Sequence, residues 1–309
     1  MWWKRYAQYY KEQEEMKSDG VLMNTLLRAL EWMPNVSCIT YSPYPRHLPV
    51  EAKDMRDLLP RGITPSLATG FTAADHPFRQ LIAALYVSQY VGIREFRTEP
   101  RNNNNPGTEF ALSIFDLKDD NEMAAGRYLF HQLEKLVLNM AIWGLDDDVL
   151  HRALDKFAEL IRTTTNLQHL HFHPTHWQSE IEVRSLFARL GLDTMWPRLQ
   201  TLSLRKILGD EAQFSDLIKR HKRTLTSVEL SRCEILNGTW ADVVDEVVYG
   251  TDISSFVLDR VNERTLPHID FASLSKWERE RWKYEGLVEV TKDGERSFVS
   301  AVLYVTIQT

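Results

Sequence analysis

Three histidines alternate with apolar residues in the run His169-Leu170-His171-Phe172-His173, and His176 follows shortly after. If the run is a strand, positions i, i+2 and i+4 share one face, with about 7 Å between neighbours. A His-x-His pair on a strand can chelate zinc, because neutral imidazoles converge on a tetrahedral ion. The same side chains could instead face water, or meet a partner's acidic groups as they protonate. No cysteine or carboxylate neighbours them in sequence, and the adjacent strands would offer only Val137 and Ser203. No metal is therefore assigned, and His169, His171 and His173 stand as the candidates for one. Other reactive patterns do not occur: there is no Gly-rich phosphate loop, no His-Glu-x-x-His and no Gly-x-Ser-x-Gly. The reading is a protein without catalytic residues or cofactor. The alternative is a metal-dependent enzyme centred on the histidine strand.

The elements that would carry these histidines follow from a recurring phrase, apolar-x-x-apolar-x-apolar. Its clearest copies are Leu133/Leu136/Leu138, Leu167/Leu170/Phe172, Leu199/Leu202/Leu204, Leu225/Val228/Leu230 and Ile253/Phe256/Leu258. Their first positions lie 26 to 34 residues apart, which is the signature of leucine-rich repeats, one short strand and one helix to a unit. The expected fold is α/β: a leucine-rich-repeat solenoid with a curved parallel sheet on its concave face and helices on its convex face. Irregular N-terminal repeats and a C-terminal β-hairpin cap complete it. The expected organisation is an N-terminal helix over 1–20, degenerate repeats with long insertions over 21–129, regular repeats over 130–260 and a cap over 261–309.

Helical periodicity places helices at Val21 to Trp32, His76 to Tyr90, Asp146 to Arg162, Ser179 to Leu190, Glu211 to His221 and Trp240 to Val248. The stretch from Ser42 to Gly70 is proline-rich and reads as an irregular insertion, and Arg101 to Gly107 reads as a loop. Phe110 to Leu117 alternates and suggests an extra strand. Beyond Leu258, Trp277, Trp282 and Tyr284 suggest a cap. Leu287 to Thr291 and Phe298 to Ile307 form a hairpin pattern that would cover the edge of the last repeat.

If the phrase residues point inward, the residues between them face out. That rule nominates a binding face made by Glu95, Arg97, Glu99, Lys135, Asn139, His169, His171, His173, Arg205, Glu229 and Asp259. A solvated strand face must be polar in any case, so polarity alone does not make it a site. A repeat scaffold that acts only as a structural component is a further alternative.

Bulk properties narrow the class of partner. The 309 residues carry a formal charge of −6, with 43% hydrophobic and 26% charged residues. This gives no long-range attraction to nucleic acid or to an anionic membrane, so a protein partner is expected and neither of those. The two cysteines, Cys38 and Cys233, fall in different repeats, too far apart along a solenoid for a disulfide. Cys233 is expected to be buried behind its strand. No signal peptide and no membrane-length apolar run occurs, so the expected compartment is cytoplasmic or nuclear. A monomer is expected outside its complex.

The run Leu199-Gln-Thr-Leu-Ser-Leu, a helix ending in Arg220-His221-Lys222, and then Leu225-Thr-Ser-Val-Glu-Leu-Ser-Arg-Cys233 resemble the repeats of fungal F-box and leucine-rich-repeat proteins. The resemblance spans about 130 to 260 and extends more loosely over 21 to 100. It implies that the repeats recognise a substrate protein while an N-terminal F-box docks on the adaptor of a cullin-type ubiquitin ligase. Leu48-Pro49-Val50-Glu51 has the opening letters of an F-box, but Pro60 interrupts the helices that should follow.

Overall fold

Each phrase folds as a strand because its apolar residues alternate and so fall on one side of the backbone. The computed structural model of the chain describes residues 20–41, 77–98, 110–142, 147–177, 187–263 and 302–306, with positions 4, 7, 8, 11, 12 and 15. The long strands are β1 (Cys38–Tyr41), β2 (Glu95–Thr98), β4 (Lys135–Ile142), β5 (His169–Trp177), β6 (Thr201–Arg205), β8 (Ser227–Ser231) and β10 (Ser255–Asp259). They lie side by side in chain order and pair in parallel. Short β3 (Phe110–Ala111) pairs with β4 at Met140 and Ala141, beyond the point where β2 stops. The protein is thus α/β, with a mostly parallel sheet.

Helix α1 (Val21–Trp32) precedes β1, and the helices between strands are α2 (Pro77–Val87), α3 (Asp120–Gln132), α4 (Asp147–Arg162), α5 (Glu211–His221) and α6 (Trp240–Gly250). They pack on one face of the sheet, where Leu136, Leu170, Leu202, Val228 and Phe256 join Phe130, Phe157, Leu217 and Val243 in one buried cluster. The strand residues in that cluster belong to one register row, Leu136 opposite Leu170, then Leu202, Val228 and Phe256. Truncating such a side chain to alanine costs about 2–5 kcal/mol.

Successive units cap one another's helices. The three short strands β7 (Leu208–Gly209), β9 (Glu234–Ile235) and β11 (Asn262–Glu263) form a second parallel sheet between the long strands and the helices. From the end of β9, Asn237 accepts the Glu211 N–H through its carbonyl at 2.9 Å and donates its Nδ2 to Asp210 at 2.6 Å, closing the start of α5. From β11, Glu263 accepts the Trp240 N–H at the start of α6. One orphan donor of α5 and one of α6 are thus met by the following unit. Before each short strand the chain turns at a residue with positive φ: Lys206 at 56°, Arg232 at 53° and Arg260 at 53°. This left-handed conformation costs a side-chain-bearing residue about 1–2 kcal/mol.

One feature departs from the sequence expectation. Only Phe110–Ala111 of the expected 110–117 strand is extended; Leu112–Phe115 forms a 3-10 turn. Leu112, Ile114 and Phe115 are all buried, and a strand could not send them to the same side. Beneath this turn lies a charged cluster. Arg79, only 4% exposed, donates to the Asp116 carbonyl and pairs with Glu122, while Asp116 takes Lys118 at 2.8 Å and Arg152 at 3.2 Å. Burial pushes the Asp116 carboxyl up, but the two cations outweigh it and hold it below its usual range.

The irregular insertion over 42–70, the loop at 101–107, Glu99, Trp277, Trp282, Tyr284, most of the 1–20 helix and the first part of the 179–190 helix lie outside the described residues. So does the first arm of the expected terminal hairpin. Within its expected second arm, Val302–Thr306 forms β12, which pairs antiparallel with β10 along that edge of the sheet. Among the described residues, no helix is long and apolar enough to cross a membrane.

Trp196 shows how adjacent units lock together. Fully buried, it donates from its indole to Thr164 Oγ1 at 2.9 Å and from its backbone to His221 Nε2 at 2.9 Å. His221 donates its other nitrogen to the Leu217 carbonyl at 2.7 Å, and the two rings stack. His221→Ala would strand a buried backbone N–H and open a cavity, with an expected loss of about 2–4 kcal/mol in urea unfolding. A loss below about 0.5 kcal/mol would mean that the bond is not structural.

Candidate functional site

The face of the sheet turned away from the helices holds the outward residues of every strand, ordered into rows by the parallel register. Glu95, Lys135 and His169 are neighbours in the first row. Arg97, Val137, His171, Ser203 and Glu229 form the second, which is continuous from β2 to β8. In the third, Asn139 stands opposite His173, and Arg205 is followed by Ser231 and Asp259. Every described residue of the expected binding face is therefore on one surface.

These side chains interlock across strands. Lys135 Nζ lies 3.2 Å from Glu95 Oε1, and Arg97 Nε lies 3.9 Å from the same oxygen while donating to Thr40 Oγ1 at 2.9 Å. Asn139 is tied to β2, its backbone donating to Thr98 Oγ1 at 2.7 Å and its side chain to the Thr98 carbonyl. Ser231 donates to Asp259 at 2.9 Å. Ser203 links the histidine strand to β8: its Oγ donates to Glu229 Oε2 at 3.0 Å and lies 3.1 Å from His173 Nε2.

That last chain fixes a proton. A serine hydroxyl has one hydrogen, and here it goes to Glu229, so His173 must donate from Nε2. The Nδ1 of neutral His173 is left as an acceptor, an assignment that follows from the hydrogen-bond network. The order is the reverse of a histidine activating a serine, and Ser203 is only 2% exposed. Burial, then the charge on Arg205, then His171 pull the His173 pKa down to about 4. His171 is also lowered, first by burial and then by Lys135, with Glu229 opposing. At neutral pH the middle of the face is therefore uncharged, between charged groups on either side.

The histidines share a face, as their alternation requires, but do not converge. Among the described residues, no group of three or more His, Cys, Asp or Glu side chains is placed to hold a metal ion. Cys233 is fully buried, its Sγ 3.5 Å from the Leu204 carbonyl and its thiol pushed up to about 12 by burial. Such a thiol is inert as a nucleophile. Cys38 is half-buried on β1. Neither a family model nor a curated protein matches the chain.

Ser203 and Ser231 stand on the open face yet are buried, beside His173 and Glu229 in one case and Asp259 in the other. Ser203 is the hub of the site. Aligning the repeats would have shown a small hydroxyl between a histidine strand and a glutamate.

The depressed histidines set a pH dependence. A histidine whose folded pKa lies below its unfolded value of about 6.5 contributes stability that is complete above that pH and is lost as pH falls toward the folded pKa. Stability should thus decline from pH 7 to 4. By NMR, His173 should titrate near pH 4. Titration of His173 close to 6.5 would show that its ring is solvated and not held by Ser203.

Proposed function

We propose that the chain is a leucine-rich-repeat recognition protein whose open sheet face binds another protein, and that the bound protein is a substrate of a cullin-type ubiquitin ligase. One observation carries the recognition reading. The open face presents a continuous second row, from Arg97 through His171 to Glu229, that mixes charged, imidazole, apolar and hydroxyl groups on a rigid frame. Chemically varied side chains held by a packed scaffold suit surface complementarity, since little ordering entropy remains to be lost on binding. The repeat interpretation is supported by strands that follow one another in chain order, each with its apolar phrase in the core. The ligase role rests on the resemblance to fungal F-box and leucine-rich-repeat proteins.

Site-specific photo-crosslinking in cells tests the first part. A benzophenone amino acid at Arg97, His171 or Glu229 should give discrete protein adducts, while the same probe at Lys156 on the helix layer should not. Adducts from Lys156 alone would move recognition to the helices. For the second part, the native full-length protein should co-purify with a cullin-ligase adaptor; consistent failure would remove the ligase role and leave a general binding scaffold.

A further inference from the structure

We propose that the notch where β5 and β6 part is a carboxylate-binding subsite of the open face, with Arg205 as the residue that holds a carboxylate of the partner protein. This rests on the recognition reading above and names one chemical group that the partner must present.

The notch follows from the strand pairing. Against β4, β5 runs on as far as Trp177, but against β6 it pairs only as far as Phe172 opposite Leu204. One residue later the two strands separate. After Arg205 the chain turns at Lys206, where φ is 56°, and the Lys206 N–H donates to the Ser231 carbonyl at 2.8 Å. That bond carries the end of β6 toward β8 and away from β5. His173 and Arg205 are the first residues past the last rung, so they stand on opposite sides of the gap. Each follows a buried residue, Phe172 and Leu204, and so belongs to the open face.

Arg205 differs from Lys135 and Arg97, the other cations of the expected binding face, which both lie against Glu95. It is half-buried, yet it makes no hydrogen bond or ion pair among the described residues, and its Nε is shut off from water as well. The acids on β8 and β10 are committed elsewhere. Glu229 accepts from Ser203, while Asp259 accepts from Ser231 and lies 3.5 Å from Arg260 Nε. A guanidinium nitrogen that loses water without gaining a bond costs free energy. A carboxylate laid across the two terminal nitrogens would offset that cost with charge-assisted bonds in matching fork geometry.

A carboxylate fits this position better than a phosphate does. One guanidinium neutralises one negative charge, and a second charge would be opposed by Glu229 and Asp259, one and two strands away. His173 reports on the site. Its ring has His171 on its own strand, Asn139 opposite on β4, Ser203 and Arg205 on β6, and Glu229 beyond Ser203 on β8. Burial first, and then the charge on Arg205, hold its pKa at about 4. A carboxylate on Arg205 opposes that second cause, so His173 titrates higher when the site is filled.

The test is an NMR titration of the full chain at about pH 6.5 and fixed ionic strength, following the His173 ring. The probes are N-acetylglutamate α-methylamide, which carries a side-chain carboxylate, and N-acetylglycine, which carries a terminal one. The neutral N-acetylglutamine α-methylamide and methyl phosphate are the comparisons. At least one carboxylate should shift the His173 resonances saturably and raise the ring's pKa above about 4, and the tighter of the two identifies the source. The glutamine compound should bind about fivefold more weakly or worse. Arg205→Gln should weaken the carboxylate by about fivefold or more and abolish its effect on the His173 pKa. If that variant does not fold, Arg205→Lys, which keeps the charge without the fork, should still bind more weakly than the wild type. No saturable shift with either carboxylate, equal binding of the glutamine compound, tighter binding of methyl phosphate, or unchanged affinity in the variants would each overturn the proposal. The probes are defined small molecules, so failure here removes the carboxylate subsite alone, whereas the crosslinking result bears on the recognition reading itself.

Discussion

Parallel strands that share one register line up their inward side chains as continuous apolar rows, and everything else in this protein is hung on those rows. Leu136, Leu170, Leu202, Val228 and Phe256 touch their counterparts in the next unit and the helices above them. A slip of one residue in any strand would exchange its two faces. Burial of the apolar row therefore holds the polar row in place, which is how a packing constraint becomes a constraint on function. The links between units reinforce it: Trp196 bonded to Thr164 and His221, and Asn237 and Glu263 closing the helices of the preceding units.

On the open face the same register converts sequence neighbours two apart into separate rows and brings distant residues together. His173, Ser203 and Glu229 come from three strands and form one hydrogen-bonded chain. Its polarity commits the Ser203 proton to Glu229 and keeps His173 neutral. The arrangement positions side chains and does not activate a nucleophile. The charges are distributed unevenly: Glu95, Arg97 and Lys135 pair with one another on one side, the middle is neutral, and cations gather at the rim beyond Arg205.

Much of this was legible in the sequence because it depends on local periodicity. The strands from Leu133 onward, the outward residues and the bounds of α1 and α5 follow from spacing alone, and so does the burial of Cys233. What escaped depends on contacts between distant residues or on backbone states that composition does not signal. Two-residue strands such as β7 and β9 have no alternation to read. The Arg79, Asp116, Glu122 and Arg152 cluster joins four segments whose charges look like ordinary surface residues. The turns at Lys206, Arg232 and Arg260 lack the glycine that would have announced them. Phe110 to Leu117 alternates like a strand, yet Leu112 to Phe115 forms a 3-10 turn that buries Leu112, Ile114 and Phe115 together.

The division of each strand into a core side and an open side is the claim on which the rest stands, and thiol labelling along β5 tests it most directly. In a Cys38→Ser background, with Cys233 buried and unreactive, single variants His169→Cys, Leu170→Cys, His171→Cys and Phe172→Cys are labelled under native conditions. Positions 169 and 171 should react readily, and 170 and 172 roughly a hundredfold more slowly. Uniform labelling, or fast reaction at Leu170→Cys and Phe172→Cys, would contradict the register and with it the assignment of the open face.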